Sequence, residues 1–217
     1  MKIPICIVED NELIRSAMEQ VIAMDNKYKL VGSYSNAEQA LEKIPTVQPN
    51  IILMDINLGT GLSGIECIQI LKEKQNDFLF MVCTIYEDEK KIFDALSAGA
   101  NSYMLKKTPP NEMLAAIKEL YEGGAPMSGS IARKIIKAFQ TGLVGNSIEE
   151  QKPNPSLRKL SPRETEILKL LSSGLLYKQI AGHLKISSET VRKHVYHIYE
   201  KLQVNNRVEA VNKLFNR

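Results

Sequence analysis

Ile51-Ile52-Leu53-Met54-Asp55-Ile56-Asn57 is a run of four large apolar residues closed by a carboxylate. A run with no polar alternation is a strand buried on both faces, as in a parallel sheet covered by helices. Three more runs have the same form. Ile3-Pro4-Ile5-Cys6-Ile7-Val8 stops at Glu9-Asp10, Phe78-Leu79-Phe80-Met81-Val82-Cys83 at Thr84, and Tyr103-Met104-Leu105 at Lys106. Open parallel sheets bind ligands at the carboxyl ends of their strands. Three acids, one hydroxyl and one amine therefore converge on one spot.

Helical patterns separate the strands: Asn11–Met24, Asn36–Ile44, Gly64–Lys74, Asp88–Ser97 and Asn111–Glu122. Lys29–Ser35 is a second, less apolar strand and so belongs at an edge. Ser35-Asn36-Ala37-Glu38 reads as a capping box for the second helix. Gly99 and Gly123 stand where a helix wants a left-handed residue after its last turn. Five βα units make an open parallel α/β sheet with helices on both faces. The flavodoxin-like order 2-1-3-4-5 is expected, and it sets the ends of strands 1 and 3 side by side at the switch point.

The chemistry of the spot follows from its groups. A carboxylate can attack phosphorus and form an acyl phosphate. Such an attack on an anionic phosphoryl group needs positive charge nearby. Mg²⁺ fits, because it takes one or two carboxylates and keeps room for phosphate oxygens and water. Asp10 and Asp55 are candidate direct ligands, with Glu9 acting through water. The Lys106 ammonium supplies a second positive contact, and the Thr84 hydroxyl can donate to a phosphate oxygen. Asp55 is the candidate nucleophile because it ends the most apolar strand. Taken singly, Asp10 reads equally well as a helix N-cap, Lys106 as a solvated loop lysine and Thr84 as a strand-end residue. The combination across four strand ends carries the functional reading.

Charge divides the chain. Residues 1–125 carry 12 Lys+Arg against 18 Asp+Glu, net −6, and residues 126–155 carry 4 against 2, net +2. Residues 156–217 carry 12 against 5, net +7. An acidic front and a basic back predict two domains, the rear one meeting a polyanion. Domains are expected at 1–125 and 157–217. Between them, 126–156 holds one helix, Ser128–Gln140, and a flexible linker, Gly142 to Ser156, of roughly 20 Å r.m.s. span. Nothing approaches the ~18 apolar residues of a membrane span, and the N-terminus lacks a signal-peptide pattern. Cys6, Cys67 and Cys83 lack metal-ligand spacing and read as reduced thiols of a cytoplasmic protein.

The tail is all helical. Ser161-Pro162-Arg163-Glu164 offers an N-cap, a Pro at N1 and a capping-box Glu. The helix it opens should run to about Ser173 and stop at Gly174. Helices Leu176–Leu184 and Ser188–Leu202 flank a tight turn, Lys185-Ile186-Ser187, and a last helix spans Arg207–Phe215. Two helices joined by so short a turn read as helix-turn-helix. On a wheel of 100° per residue, Val191, Val195, Ile198 and Leu202 form the buried stripe. Lys193 and Tyr196 lie opposite, with Arg192 and His197 on the flanks. Tyr177 and Tyr199 read as packing residues.

Ile7-Val8-Glu9-Asp10, Leu53-Met54-Asp55-Ile56-Asn57-Leu58, Val82-Cys83-Thr84 and Gly99-Ala100-Asn101-Ser102-Tyr103-Met104-Leu105-Lys106-Lys107 resemble a response-regulator receiver domain. Leu160-Ser161-Pro162-Arg163-Glu164 through Thr190-Val191-Arg192-Lys193-His194-Val195 resembles a LuxR-type helix-turn-helix. Together they resemble the NarL/FixJ family of two-component regulators. The resemblance implies a sensor histidine kinase as phosphoryl donor to Asp55 with Mg²⁺ bound, and the Asn57 backbone carbonyl as a further metal ligand. It makes Thr84 and Tyr103 the switch pair. It favours Arg192, Lys193 and Tyr196 for base contact on a pseudo-palindromic duplex. Lys178, Thr190, His194 and His197 then serve as backbone contacts, and the last helix, with Val208, Val211 and Leu214, serves a homodimer.

Two departures stand out. Gly59 takes the place where the family usually has Pro, and Gly64 comes nine residues after Asp55 rather than eight, which predicts a longer, more permissive loop. Lys107 stands where many receivers have Pro. The chain is not expected to be an enzyme. Haloacid-dehalogenase-like phosphatases place a second Asp two residues after the nucleophile, where this chain has Asn57. A constitutive DNA binder with a vestigial receiver is the remaining alternative.

Overall fold

The structure is a computed structural model that describes residues 2–74, 77–140 and 160–214. The apolar runs form a five-stranded parallel sheet. Its strands are β1 (Ile3–Val8), β2 (Tyr28–Tyr34), β3 (Ile51–Met54), β4 (Leu79–Thr84) and β5 (Ser102–Leu105), in the order β2-β1-β3-β4-β5. All four residues of β3 are fully buried, and burying each such side chain contributes about 2 kcal/mol. The alternate strand faces divide the core. Cys6, Val8, Ile52, Met54, Phe80 and Val82 pack with α2 (Ala37–Val47), α3 (Gly64–Lys74) and α4 (Glu89–Ser97). Ile5, Ile7, Ile51, Leu53, Met81 and Cys83 pack with α1 (Glu12–Ala23) and α5 (Pro110–Tyr121). The three cysteines are free and buried, and burial pushes their thiols up to about 12.

Two local expectations need correction at α2. The cap is Asn36, whose side chain accepts from Gln39 N at 2.9 Å, while Gln39 Oε1 reaches back to Ser35 N. The cap therefore falls one residue later than the Ser35/Glu38 pairing places it, and Glu38 is free for another task. The helix also runs past Ile44 and Pro45 to Val47. Pro45 removes one hydrogen bond in a last turn that Gln48 closes. Gln48 is left-handed at φ 49, donates its N–H to Ile44 O, and donates Nε2 to Pro45 O at 2.6 Å. Gly99 and Gly123 adopt the expected positive φ, 108 and 91.

The segment 126–140 contributes α6 (Gly129–Gln140). Residues Pro126–Ile135 group with the first unit, Met1–Tyr121. The linker expected at Gly142–Ser156 lies outside the described residues.

The second unit holds α7 (Pro162–Ser172), α8 (Tyr177–Leu184), α9 (Ser188–Leu202) and α10 (Arg207–Leu214). Its core includes Ile167, Leu168, Leu171, Tyr177, Ile180, Val191, Val195, Ile198 and Leu202, with Tyr199 packed against it. The capping box at Ser161 and Glu164 is complete. Lys185 turns the chain at φ 53, and Ser187 caps α9 by accepting from Thr190 N. Leu214, half-buried, packs against this core. Val208 stays exposed.

Candidate functional site: an acidic pocket and a basic helix

The parallel ladder aligns the strand ends. Asp55 N donates to Val8 O at 2.9 Å, Glu9 N to Tyr34 O at 3.0 Å, and Lys106 N to Thr84 O at 2.9 Å. This brings the carboxylates of Glu9, Asp10 and Asp55 together, with one oxygen from each lying within 4.8 Å of the others. Among the described residues, no other trio of His, Cys, Asp or Glu is so grouped. Glu9, Asp55 and Thr84 are buried and Asp10 is exposed.

Lys106 Nζ lies 2.8 Å from Asp55 Oδ2 and 2.6 Å from Glu9 Oε2. Burial by itself would depress the lysine's pKa, but the two carboxylates outweigh it and hold it above the ordinary value. Glu9 is shifted up, chiefly by burial, with Asp55 adding to the rise and the Lys106 ammonium opposing it. Asp55 Oδ1 is buried and accepts no hydrogen bond, and Glu9 Oε2 touches Lys106 with no donor aligned on it. A buried oxygen left open is costly unless something binds it. Unfilled carboxylate lone pairs facing one point are what a hard divalent cation needs.

The loop after Asp55 is better anchored than its glycines suggest. Gly59 has φ +72, a value proline's ring forbids, and a Cβ there would sit 3.2 Å from Asp10 Oδ2. This explains the missing proline. Ile56 and Leu58 are buried. Glu38, released from capping α2, accepts from Leu62 N at 3.0 Å. Ser63 and Glu66 cap α3, with Ser63 N donating to Glu66 Oε2 at 2.8 Å. Gly64 N donates to Ile56 O at 2.9 Å.

Sequence reasoning missed Arg15, whose guanidinium donates to Glu9 O at 2.9 Å and Asp10 O at 3.4 Å. Its place on the face of α1 next to the sheet was legible; its reach back to the strand end was not. Tyr103 is fully buried, and its hydroxyl donates to Tyr86 O at 3.1 Å. Tyr86 N in turn lies 3.4 Å from Thr84 Oγ1. Asn57 is exposed at the rim of the pocket.

On α9, Lys193 and His197 are exposed, whereas His194, Tyr196 and Thr190 are half-buried. Lys178 is exposed on α8. Glu200 gathers two of these groups, accepting from Tyr196 Oη at 2.9 Å and lying 3.2 Å from His197 Nδ1. Arg192 sits closer to the body than a pure flank position suggests. Its guanidinium lies 5.6 Å from the Tyr177 ring centre, and its Nε is 3.7 Å from Glu189.

The helix is held in place by Glu164. Its buried carboxylate takes Lys201 Nζ at 2.7 Å on each oxygen and also receives Ser161 N, tying α7 to the end of α9. Burial would raise this carboxyl, but Lys201 and the Ser161 amide hold it below the usual range. Stability from it is therefore full above the pH where a free carboxyl titrates, about 4.3, and is lost as pH falls through the lowered native value. Glu164→Gln should cost about 2 kcal/mol at pH 7, with the deficit shrinking as the pH drops below about 4. Urea melts of both proteins at pH 7 and pH 3.5 measure it; a deficit independent of pH would contradict the assignment.

A doubly wound sheet with three carboxylates and a lysine at its switch point, joined in one chain to a four-helix unit with an exposed basic helix, defines a receiver coupled to a helix-turn-helix. Residues 5–118 match the response regulator receiver domain, and residues 158–214 match the luxR family of bacterial regulatory proteins. The chain therefore belongs to the NarL/FixJ family of two-component response regulators. It is 31% identical over 220 residues to the transcriptional regulatory protein DegU of Brevibacillus brevis, covering 97% of this chain and 92% of that one. It is 32% identical over 206 residues to the nitrate/nitrite response regulator NarL of Escherichia coli, covering 95% and 92%. Among solved structures it is similar to RcsB of Salmonella typhimurium, with 20% identity, TM-score 0.58 and coverage of 100% and 99%. It is also similar to ChrA, the response regulator of a heme-sensing two component system, with 27% identity, TM-score 0.53 and coverage of 99% and 97%.

Proposed function

We propose that Asp55 accepts a phosphoryl group from a sensor histidine kinase and that this event controls sequence-specific binding of α9 to duplex DNA. The observation that carries the reading is the Asp55 carboxylate itself, buried, with Oδ2 held by Lys106 and Oδ1 accepting no hydrogen bond. Glu9, Asp10, Asp55 and the Asn57 carbonyl would hold Mg²⁺, whose chemistry is to neutralise the phosphoryl oxygens and the attacking carboxylate. Asp55 attacks phosphorus. The donor's P–N bond breaks as the P–O bond forms, and the departing imidazole takes a proton from solvent. Lys106 turns from the carboxylates to a phosphoryl oxygen. Thr84 donates its hydroxyl to another, and Tyr103 follows through the Tyr86 carbonyl. Asn57 offers no second carboxylate to hydrolyse the product rapidly, which suits a switch rather than a phosphatase.

The output is read by α9. Lys193 is exposed on α9 and, with Arg192 and Tyr196, is assigned to base edges. Lys178, Thr190, His194 and His197 are assigned to the phosphates. RcsB, similar in fold, has been solved as dimers on DNA. The working form is assigned as a homodimer that reads a pseudo-palindromic site, with Val208 on α10 as an exposed apolar contact. No helix among the described residues is long and apolar enough to cross a membrane, and the assigned compartment is the cytoplasm.

The test couples two steps. The protein is treated with a small phosphodonor and Mg²⁺, acyl phosphate is quantified, and binding to its operator is measured in the same samples. Operator affinity that does not change with occupancy of Asp55 overturns the coupling. In the same assay Lys193→Ala should weaken operator binding by about 10-fold or more, roughly 1–3 kcal/mol, and binding to random DNA by less. Equal losses would make Lys193 a phosphate contact only.

A further inference from the structure

Tyr103, the assigned switch tyrosine, packs in one cluster with α6 and the residues that lead into it. Met127 pairs with Tyr103 in a parallel bridge beyond β5, and Ser102 Oγ donates to Pro126 O at 2.6 Å. Ile131 is fully buried, and Met127 and Ile135 pack against the same cluster that holds Tyr103, Ile92 and Ala95. One turn after Ile131, Lys134 Nζ donates to the backbone carbonyl of Glu87 and lies 3.4 Å from its carboxylate. Lys107 grips the other carboxylate oxygen at 2.8 Å. The two ammoniums, Lys107's first, hold the Glu87 carboxyl below its usual range.

These contacts meet on Thr84, at the end of β4, and on Tyr86 and Glu87 of the loop that follows. Thr84 Oγ1 faces Tyr86 N, Tyr86 O takes the Tyr103 hydroxyl, and Glu87 O takes Lys134. The Tyr86 ring is also fixed, with Lys91 Nζ 3.0 Å from its centre. Thr84 Oγ1 accepts from Tyr86 N at 3.4 Å, and turning the hydroxyl to donate its proton to a phosphoryl oxygen breaks this long contact. Moving Thr84 therefore moves the carbonyls at 86 and 87.

We propose that Lys134 is a latch tying α6 to the β4–α4 loop while Asp55 is bare, and that phosphorylation opens it through Thr84, Tyr86 and Glu87. The inference rests on Asp55 being the phospho-acceptor, and it names how that site is read out. Met127, Ile131 and Ile135 stay packed on the receiver core, so the change is confined to Lys134 and the β4–α4 loop it holds. The coupling is reciprocal: whatever opens the latch must favour the phosphorylated pocket by the same factor.

Lys134→Met removes the ammonium and keeps the stem. In the full chain, backbone amides of the β4–α4 loop and of α6 next to Lys134 should exchange about 10-fold faster in unmodified Lys134→Met than in the unmodified native protein. The variant should bind beryllium fluoride with Mg²⁺ about 10-fold more tightly by calorimetry. Lys134→Arg should restore both values, and unchanged exchange in β3 verifies the fold. A Lys134→Met variant with native exchange and native beryllium fluoride affinity overturns the latch and leaves the phospho-acceptor reading intact. A native protein that binds no beryllium fluoride overturns that reading first, and the latch with it.

Discussion

Asp55→Asn folds normally and forms no acyl phosphate. The amide has nearly the carboxylate's shape, so the surrounding apolar residues, Ile56, Leu53 and Met54, stay in place. Its nitrogen and oxygen lack the charge needed to attack phosphorus. The change also removes the anion that Lys106 meets at 2.8 Å and one of three carboxylates converging within 4.8 Å. Loss of the nucleophile should lower labelling by at least about 10³-fold, or about 4 kcal/mol of barrier. Incubation with a small phosphodonor and Mg²⁺, followed by phosphate-affinity electrophoresis, reads the result directly. Normal labelling of the variant would sink the assignment of Asp55.

Gly64→Ala is the second large effect, and it acts on the same residue from behind. An ideal Cβ at position 64 falls 1.8 Å from Asp55 O, 2.8 Å from Asp55 C and 3.1 Å from Ile56 Cα. These are backbone atoms that no rotamer change can remove, and Gly64 is itself buried, with its N–H committed to Ile56 O. Either α3 backs away from the strand end or the Asp55 peptide moves. Overpacking of this kind costs about 3 kcal/mol. The surviving folded protein should label much more slowly than the native protein at equal folded fraction. Chemical denaturation and phosphodonor labelling on one preparation separate the two losses. A variant with native stability and native labelling would mean that the helix start is softer than its hydrogen bonds imply.

Much of this site was legible in the chain. The five polar residues that end apolar runs are those brought together, because a parallel sheet aligns the ends of its strands whatever its loops do. The stripe Val191, Val195, Ile198 and Leu202 is buried as a 3.6-residue period requires. Ser161 and Glu164 cap α7 as their three-residue spacing predicts. The errors were small and local. Asn36 took the capping role from Ser35, and α2 runs two residues past Pro45 before Gln48 closes it. In each case two chemically similar solutions lay within one turn of each other, and packing of the buried Ala37, Ala40 and Ile44 chose between them.

What the amino-acid order determined alone is therefore most of what neighbours within about one helical turn set: strand and helix positions, the capping box of α7, the basic face of α9 and the residues at strand ends. The tertiary structure decided the partners that lie far apart in the chain. Glu38 secures the loop at Leu62, 24 residues on; Glu164 secures Lys201, 37 residues on; Lys134 reaches back 47 residues to Glu87. It also decided that Gly59 is left-handed against Asp10, so that glycine replaces proline for a backbone reason. A charged side chain read along the sequence has many possible partners and little preference among them. Only the packed sheet and helices, by fixing which surfaces meet, reduce those partners to one or two.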